Sequence, residues 1–152
     1  MSGWRFEARV DATPDAAYAW MTDFTEHDHG SEAFRRGAKA KEGDARASKR
    51  TVVSREGNRV KIHDVWGRQS FDMDVELVPA RREVVLTGQY GYSAVWRAEP
   101  DGAGTRIVNE GKLAPTGFMK LLAPLFARSF AKQMRSDFDG HLEEMREDLA
   151  KR

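Results

Sequence analysis

Apolar and polar residues alternate along the middle of the chain with the period of two that is typical of half-buried strands. The alternation is clearest where Phe71, Met73 and Val75 are separated by acidic residues. Short breaks rich in Gly, Asn, Asp and Pro separate such segments, so we expect hairpin turns between them. The pattern predicts seven strands, over residues 4–10, 51–54, 59–66, 70–78, 83–90, 92–98 and 105–113.

Two helices are expected between the first and second strands. Thr13 can cap the first helix, Pro14 suits its first turn, and apolar residues recur at helical spacing as far as about Phe24. A shorter helix is expected near residues 31–36, in a charged stretch that is interrupted by glycines.

A long helix is expected from about residue 118 to the end of the chain. Thr116 is its candidate cap, and Pro124 is a candidate site for a kink. Its apolar residues follow steps of three and four, as one side of a helix requires. They are Phe118, Leu122, Phe126, Phe130, Met134, Phe138, Leu142, Met145 and Leu149.

This order of elements predicts a single α+β domain spanning residues 1–152. A meander of six strands must bury its apolar face, and the last helix is the only predicted element large enough to cover it. We therefore expect a curved, seven-stranded antiparallel sheet wrapped around the C-terminal helix.

Composition narrows the possible partners. The chain has 25 basic and 24 acidic side chains, so its net charge gives no reason to expect a nucleic acid partner. It has no cysteine, which excludes disulfides, thiolate nucleophiles and cysteine-based zinc sites. Charges at Arg5, Glu7 and Arg9 argue against a targeting peptide, and no apolar run is long enough for integral membrane association. A cytoplasmic location is expected by default.

No motif for a metal, nucleotide or other cofactor stands out, so none is expected. The spacing of His27 and His29 is found in some metal sites, but here it lies in a charged segment without clear further ligands. Basic residues between 35 and 50 are interspersed with Glu42 and Asp44, which favours a solvated surface over an anionic partner.

The opening Trp-Arg-Phe-Glu-Ala-Arg-Val-Asp-Ala-Thr-Pro-Asp of residues 4–15 resembles the first strand and helix of the START-like SRPBCC superfamily. Residues 105–108 and the Gly-bearing connection that follows resemble its last strand. The resemblance extends over essentially the whole chain. It implies the helix-grip fold, with a cavity between sheet and helix that binds lipids, sterols, polyketides or other apolar molecules.

If the resemblance holds, Phe and Met side chains should line such a cavity, because they suit flat or flexible apolar ligands. The alternative is that they fill the core completely. The mouth is expected near Pro124, and residues 138–149 should form ordinary core against strand one and the first helix. The expected lining is Phe71, Met73, Val75, Leu86, Trp96 and Asn109 from the sheet, with Phe118, Leu122, Phe126, Phe130 and Met134 from the helix.

Several polar residues in the strands could orient a ligand or act as an acid or base. Alternation turns His63 outward and Asp64 inward, although a solvent-facing or loop-end aspartate is the interpretation that we favour, since Asp is rarely buried unpaired. Tyr90 and Tyr92 flank a turn and suit either a pocket rim or simple packing. Asn109 is the preferred polar anchor. Asp64 and Tyr90 are the candidates for catalysis.

Three functions follow from these expectations. The first is a binding or transport protein for an apolar small molecule, without chemistry of its own. The second is an enzyme of the cyclase or dehydratase kind, with a buried acid–base group such as Asp64 inside the cavity. The third is an interaction module of the co-chaperone or ubiquinone-associated kind, with a small cavity and an exposed apolar patch around Phe118, Met119 and Leu125. A homodimer is compatible with all three.

Overall fold

The computed structural model describes residues 2–24, 32–38, 48–66 and 69–151, and its α+β architecture confirms the expected fold class. Its three helices are α1 (Pro14–Thr22), α2 (Glu32–Ala38) and α3 (Phe118–Ala150). Its strands are β1 (Ser2–Val10), β2 (Ser48–Glu56), β3 (Arg59–Trp66), β4 (Gln69–Val78), β5 (Glu83–Gly88), β6 (Tyr92–Asp101) and β7 (Gly104–Leu113).

The strands form one antiparallel sheet in the order β1-β7-β6-β5-β4-β3-β2. Strands β2 to β7 follow each other as a meander, and β1 then pairs with β7 along its full length. The first strand of the chain therefore lies beside the last, at one edge of the sheet.

Strand β2 extends beyond the expected 51–54 at both ends, and it contains an irregularity at Val53. The register against β3 shifts between Val52 and Ser54, and the Val53 side chain is turned into solvent. The extension matters for the site, since it brings Arg50 into the sheet directly opposite Asp64.

Strand β5 ends at Gly88, two residues before the predicted end. The segment Gln89–Gly91 turns instead, with Tyr90 at φ 58° and Gly91 at φ 71°. A Cβ atom on Gly91 would clash with the carbonyl group of Ala114, so both the positive φ and the close approach require glycine. The turn thereby fastens the β5–β6 connection to the segment before α3.

The helix ends differ partly from the sequence prediction. Thr13 caps α1 as expected, with its Oγ1 accepting a hydrogen bond from the Ala16 amide at 3.1 Å. The predicted Thr116 cap of α3 is wrong, because Gly117 holds the cap position with φ 64° and provides no side chain to accept a bond. Helix α3 continues through Pro124 without interruption.

Helix α3 is most deeply buried in its second half, whereas Phe130 and Met134 are only partly buried against the sheet. All its fully buried residues fall between Asp137 and Met145. Phe138, Leu142 and Met145 pack in one core cluster with residues of β1, α1, β6 and β7, as expected for that end of the helix, but Phe138 also lines a cavity between the helix and the sheet. A second core cluster, centred on β3 to β6, lies farther along the sheet.

Leu142→Ala tests this anchoring, with Leu125→Ala on the same helix as its matched control. Leu142 is fully buried in the anchoring cluster, so truncation should lower the free energy of unfolding by about 2–5 kcal/mol. Leu125 is exposed, and its truncation should change stability by less than about 0.5 kcal/mol. Urea denaturation measures both values, and equal losses would contradict deeper burial of the second half.

Candidate functional site

A cavity of about 490 Å³ lies between the sheet and α3. Phe126, Phe130 and Met134 face it from the helix, and Phe71, Met73, Leu86 and Trp96 face it from the sheet. Helix α1 and the segment that follows it add an unpredicted wall, made of Trp20, Met21 and Phe24. The lining is thus mainly aromatic and thioether side chains, which favour contact with a flat or flexible apolar molecule.

The cavity reaches the surface at the start of α3. Tyr90, Met119 and Phe126 line the cavity and are also among the most exposed large apolar residues of the described chain. Met119 and Phe126 lie on either side of Pro124, where the mouth was expected. The lining also includes buried or half-buried polar residues, and we name six of them the polar side of the cavity: Arg50, Asp64, Tyr92, Asn109, Asp137 and His141.

An ion pair between Arg50 and Asp64 forms part of this polar side. Arg50 Nε and Nη2 donate to the two carboxylate oxygens of Asp64, each at 2.8 Å, and the Asp64 side chain is only 2% exposed. The preferred interpretation of Asp64 as solvent-facing is therefore wrong, because the cross-strand arginine supplies the partner that burial requires. Arg50 Nη1 remains outside the pair, while both residues line the cavity.

Asn109 also lies in the cavity wall and is buried. Its Oδ1 accepts a hydrogen bond from the Trp4 indole Nε1 at 2.9 Å, and its Nδ2 donates to the Val95 carbonyl oxygen at 3.4 Å. Trp4 in turn packs against Tyr92 and Phe130, with ring centroids 5.9 and 5.6 Å away. The amide is held in one orientation by these contacts.

Tyr92 contributes a phenol that stays protonated. Burial raises the pKa of Tyr92 to about 12, and the negative charges of Asp137 and Asp64 add to this rise while Arg50 opposes it. At neutral pH the phenol is therefore a hydrogen-bond donor and not a base.

Asp137 and His141 complete the polar side from α3. They are one helical turn apart, and both line the cavity. The His141 ring lies between aromatic neighbours, at 5.2 Å from Phe34 and 5.8 Å from Trp96. Its Nδ1 is 3.8 Å from Glu144 Oε1, which is too long for a hydrogen bond.

A family model described as polyketide cyclase / dehydrase and lipid transport matches residues 4–150. The chain belongs to this family. The match confirms the resemblance to the SRPBCC superfamily. No curated protein sequence matches the chain significantly.

Several solved structures share the fold of this family member. TTHA0849 from Thermus thermophilus is 23% identical, with a TM-score of 0.66 and coverage of 97% of this chain and 98% of that one. The Zhui aromatase/cyclase from Streptomyces sp. R1128 is 15% identical, with a TM-score of 0.53 and coverage of 91% and 93%. CC1736 from Caulobacter crescentus is 16% identical, with a TM-score of 0.60 and coverage of 100% of both chains.

Three residues of the expected lining lie outside the cavity of this family member. Val75 is packed in the core cluster between Val60 and Leu86, its cross-strand neighbours. Phe118 and Leu122 point away from the cavity because of helix geometry. Each step of four residues along an α-helix rotates the side chain by about 40° beyond a full turn. Phe118 lies three such steps before Phe130, so its side chain is rotated by about 120° from that of Phe130. Phe118 is exposed, and Leu122 is half-buried.

The remaining expected residues are placed as follows. Phe71, Met73, Leu86, Trp96, Asn109, Phe126, Phe130 and Met134 line the cavity. Tyr90 lies at its exposed end, and His63 points to the outer face of the sheet, where its Nδ1 is 2.7 Å from Asp72 Oδ1. His27 and His29 lie outside the described residues.

Asp137 and His141 were not singled out from the sequence. Arg50 was assigned with the other basic residues between 35 and 50 to a solvated surface, which is wrong because its side chain pairs with buried Asp64 and lines the cavity. Arg50 was missed because the second strand was expected to begin only at residue 51. Asp137 and His141 continue the helical spacing of Phe130 and Met134, so polar residues in phase with an apolar stripe were the available signal.

The described residues contain no group of three His, Asp or Glu side chains arranged to hold a metal ion. No helix in the described part of the chain has both the length and the apolar character needed to cross a membrane.

Titration of Tyr92 tests the polar side of the cavity. The unfolded chain should lose the Tyr92 proton near pH 10.0, whereas the folded protein should keep it to about pH 12. The stabilisation from the neutral phenol is thus fully present below pH 10.0 and is lost as the pH rises through about 12. Near-ultraviolet tyrosinate absorbance of the wild type minus Tyr92→Phe should show a transition near pH 12. A difference transition centred on the ordinary tyrosine value would contradict this environment.

Proposed function

We propose that the protein binds one apolar, largely aromatic small molecule whose polar end carries an oxygen acceptor. The observation that supports this most directly is the composition of the cavity lining. Most of its apolar residues are aromatic or thioether side chains, and Arg50, Tyr92 and Asn109 lie among them as hydrogen-bonding groups. A ligand of this shape buries its rings and places its oxygen against fixed donors.

The size of the cavity suits a ligand of this class. Small-molecule pockets in proteins commonly enclose about 300–1,000 Å³, and the volume here is about 490 Å³. The third hypothesis, an interaction module, required a small cavity and loses that support. Its expected exposed patch is nevertheless present on α3, where Phe118, Met119 and Leu125 are all exposed.

The hydrogen-bond donors in the cavity lining favour an oxygen acceptor on the ligand. The phenol of Tyr92 is protonated at neutral pH, and its raised pKa keeps it so in alkaline solution; Arg50 Nη1 lies outside the ion pair with Asp64. Both groups can donate to a carbonyl, enol or carboxylate oxygen. Two hydrogen-bond donors within a mainly apolar lining suit an oxygenated aromatic molecule of the polyketide type better than a hydrocarbon chain.

The comparisons support the same class of ligand. The matching family is described by polyketide cyclase, dehydrase and lipid transport, and one protein of similar fold is named an aromatase/cyclase. We take aromatic polyketide-like molecules as the first class to test on this chain, and lipids and sterols as the next.

Acid–base catalysis on the bound molecule is a second candidate function. It is favoured by the placement of Asp137, His141 and Tyr92 around one cavity. Asp64 is less suited to act as a base, because both of its oxygens accept from Arg50. A catalyst of cyclisation and dehydration would release its ligand with one water lost, whereas a carrier would release it unchanged.

Ala123→Trp tests whether the cavity is the binding site. Ala123 is half-buried in the cavity wall beside Pro124, and an indole there would occupy much of the space near the mouth. The fluorescent probe anilinonaphthalenesulfonate, which has aromatic rings and an anionic oxygen group, should bind with at least about tenfold lower affinity to this variant.

The matched control is Ala127→Trp, one turn farther along α3 at a half-buried position outside the cavity lining. It should keep the wild-type affinity and a stoichiometry of one probe per chain. Equal affinities for both variants, with unchanged thermal stability, would exclude the cavity as the probe's site.

A further inference from the structure

The first half of α3 presents an apolar surface to solvent. Phe118, Leu121 and Leu125 are 73%, 75% and 74% exposed, and Phe126 is 52% exposed. Single exposed apolar residues are ordinary on protein surfaces, but these are neighbours on successive turns of one helix. We name Phe118, Met119, Leu121, Leu125 and Phe126 the α3 patch.

The charged side chains along the first half of α3 are all basic. Residues 118–135 contain four basic side chains and no acidic one. Arg128 and Lys132 continue the spacing of Leu121 and Leu125, so they extend the same exposed side of the helix toward its middle. No carboxylate of the described residues lies within salt-bridge distance of Lys120, Arg128 or Lys132, although Arg135 pairs with Asp139.

We propose that the α3 patch docks the protein on the surface of an anionic phospholipid bilayer. An exposed apolar helix face with basic residues along its flank is the combination that inserts into the boundary between headgroups and acyl chains. The apolar residues supply burial, and Lys120, Arg128 and Lys132 supply attraction to anionic headgroups. The helix lies along the interface and does not cross it.

The position of the cavity mouth supports a lipid surface over other occupants. Met119 and Phe126 belong to the α3 patch and also line the cavity. An apolar molecule leaving the cavity at this end would enter the acyl region of a docked bilayer without crossing water. Docking goes beyond the proposed function, and it can hold whether or not the cavity carries a ligand.

A second copy of the chain suits this surface less well. A two-fold contact through the α3 patch would bring residues 118–135 of both copies, which carry basic side chains and no acidic one, into a single interface. Such like-charge contacts oppose association, whereas an anionic bilayer neutralises them.

Vesicle flotation tests the proposal with purified full-length protein. The protein should float with vesicles of phosphatidylcholine containing about a third phosphatidylglycerol, and bind at least about tenfold less to vesicles of phosphatidylcholine alone. Raising the salt concentration to about 0.5 M should weaken the binding, because it screens the attraction.

Two double variants, each with a control, separate the contributions of the apolar and the basic residues to bilayer binding. Leu121→Gln with Leu125→Gln should reduce partitioning at least about tenfold, while Val53→Gln, which replaces a 62% exposed residue on β2, should leave it unchanged. Arg128→Gln with Lys132→Gln should also reduce it about tenfold or more, and Arg55→Gln with Lys61→Gln, which alters net charge equally, should do so far less. Circular dichroism checks that each variant folds.

Three results would overturn the proposal. Absence of flotation by monomeric protein would exclude a bilayer and leave another protein as the occupant. A dimer in sedimentation that Leu121→Gln with Leu125→Gln abolishes would make the α3 patch an interface between copies. Equal losses in the α3 variants and their controls would show that binding is not specific to this surface. Ligand binding in the cavity is measured separately, so its failure would not be mistaken for a failure of docking.

Discussion

The packing of the second half of α3 against β1, β7 and α1 is the contact on which the rest of the structure depends. Phe138, Leu142 and Met145 bury the helix there, and no residue of α3 before Asp137 is fully buried. Earlier in the helix, Phe130 and Met134 are only partly buried against the sheet. The cavity lies between this part of the helix and the sheet.

The sequence predicts the fold of this protein more completely than it predicts the polar residues of the cavity. The strands and α3 could be predicted, because alternation and helical spacing extend over many residues and each supports the next. The polar side of the cavity could not be predicted as well, since Asp64 depends on Arg50, and that pairing exists only because β2 begins earlier than its β-branched residues suggest. Phe118 was misplaced for a different reason, the gradual rotation of an i+4 series around the helix.

The same helix has two chemically different halves. Its anchored half carries Asp137, Asp139, Glu143 and Glu144, and its free half carries only basic charges. In the anchored half, Asp137 and His141 line the cavity from a fixed scaffold, which suits recognition of a ligand's polar group. In the free half, apolar side chains surround the mouth, which suits entry and exit. The proposed binding and the proposed docking thus both follow from one asymmetry along α3.

Native mass spectrometry of the freshly purified protein tests the central claim, that the cavity holds an apolar, oxygen-bearing small molecule. The account predicts a complex of one such molecule per chain, which denaturing extraction would then identify. A mass equal to that of the chain alone, together with no thermal shift across a panel of aromatic polyketides, lipids and sterols, would contradict it.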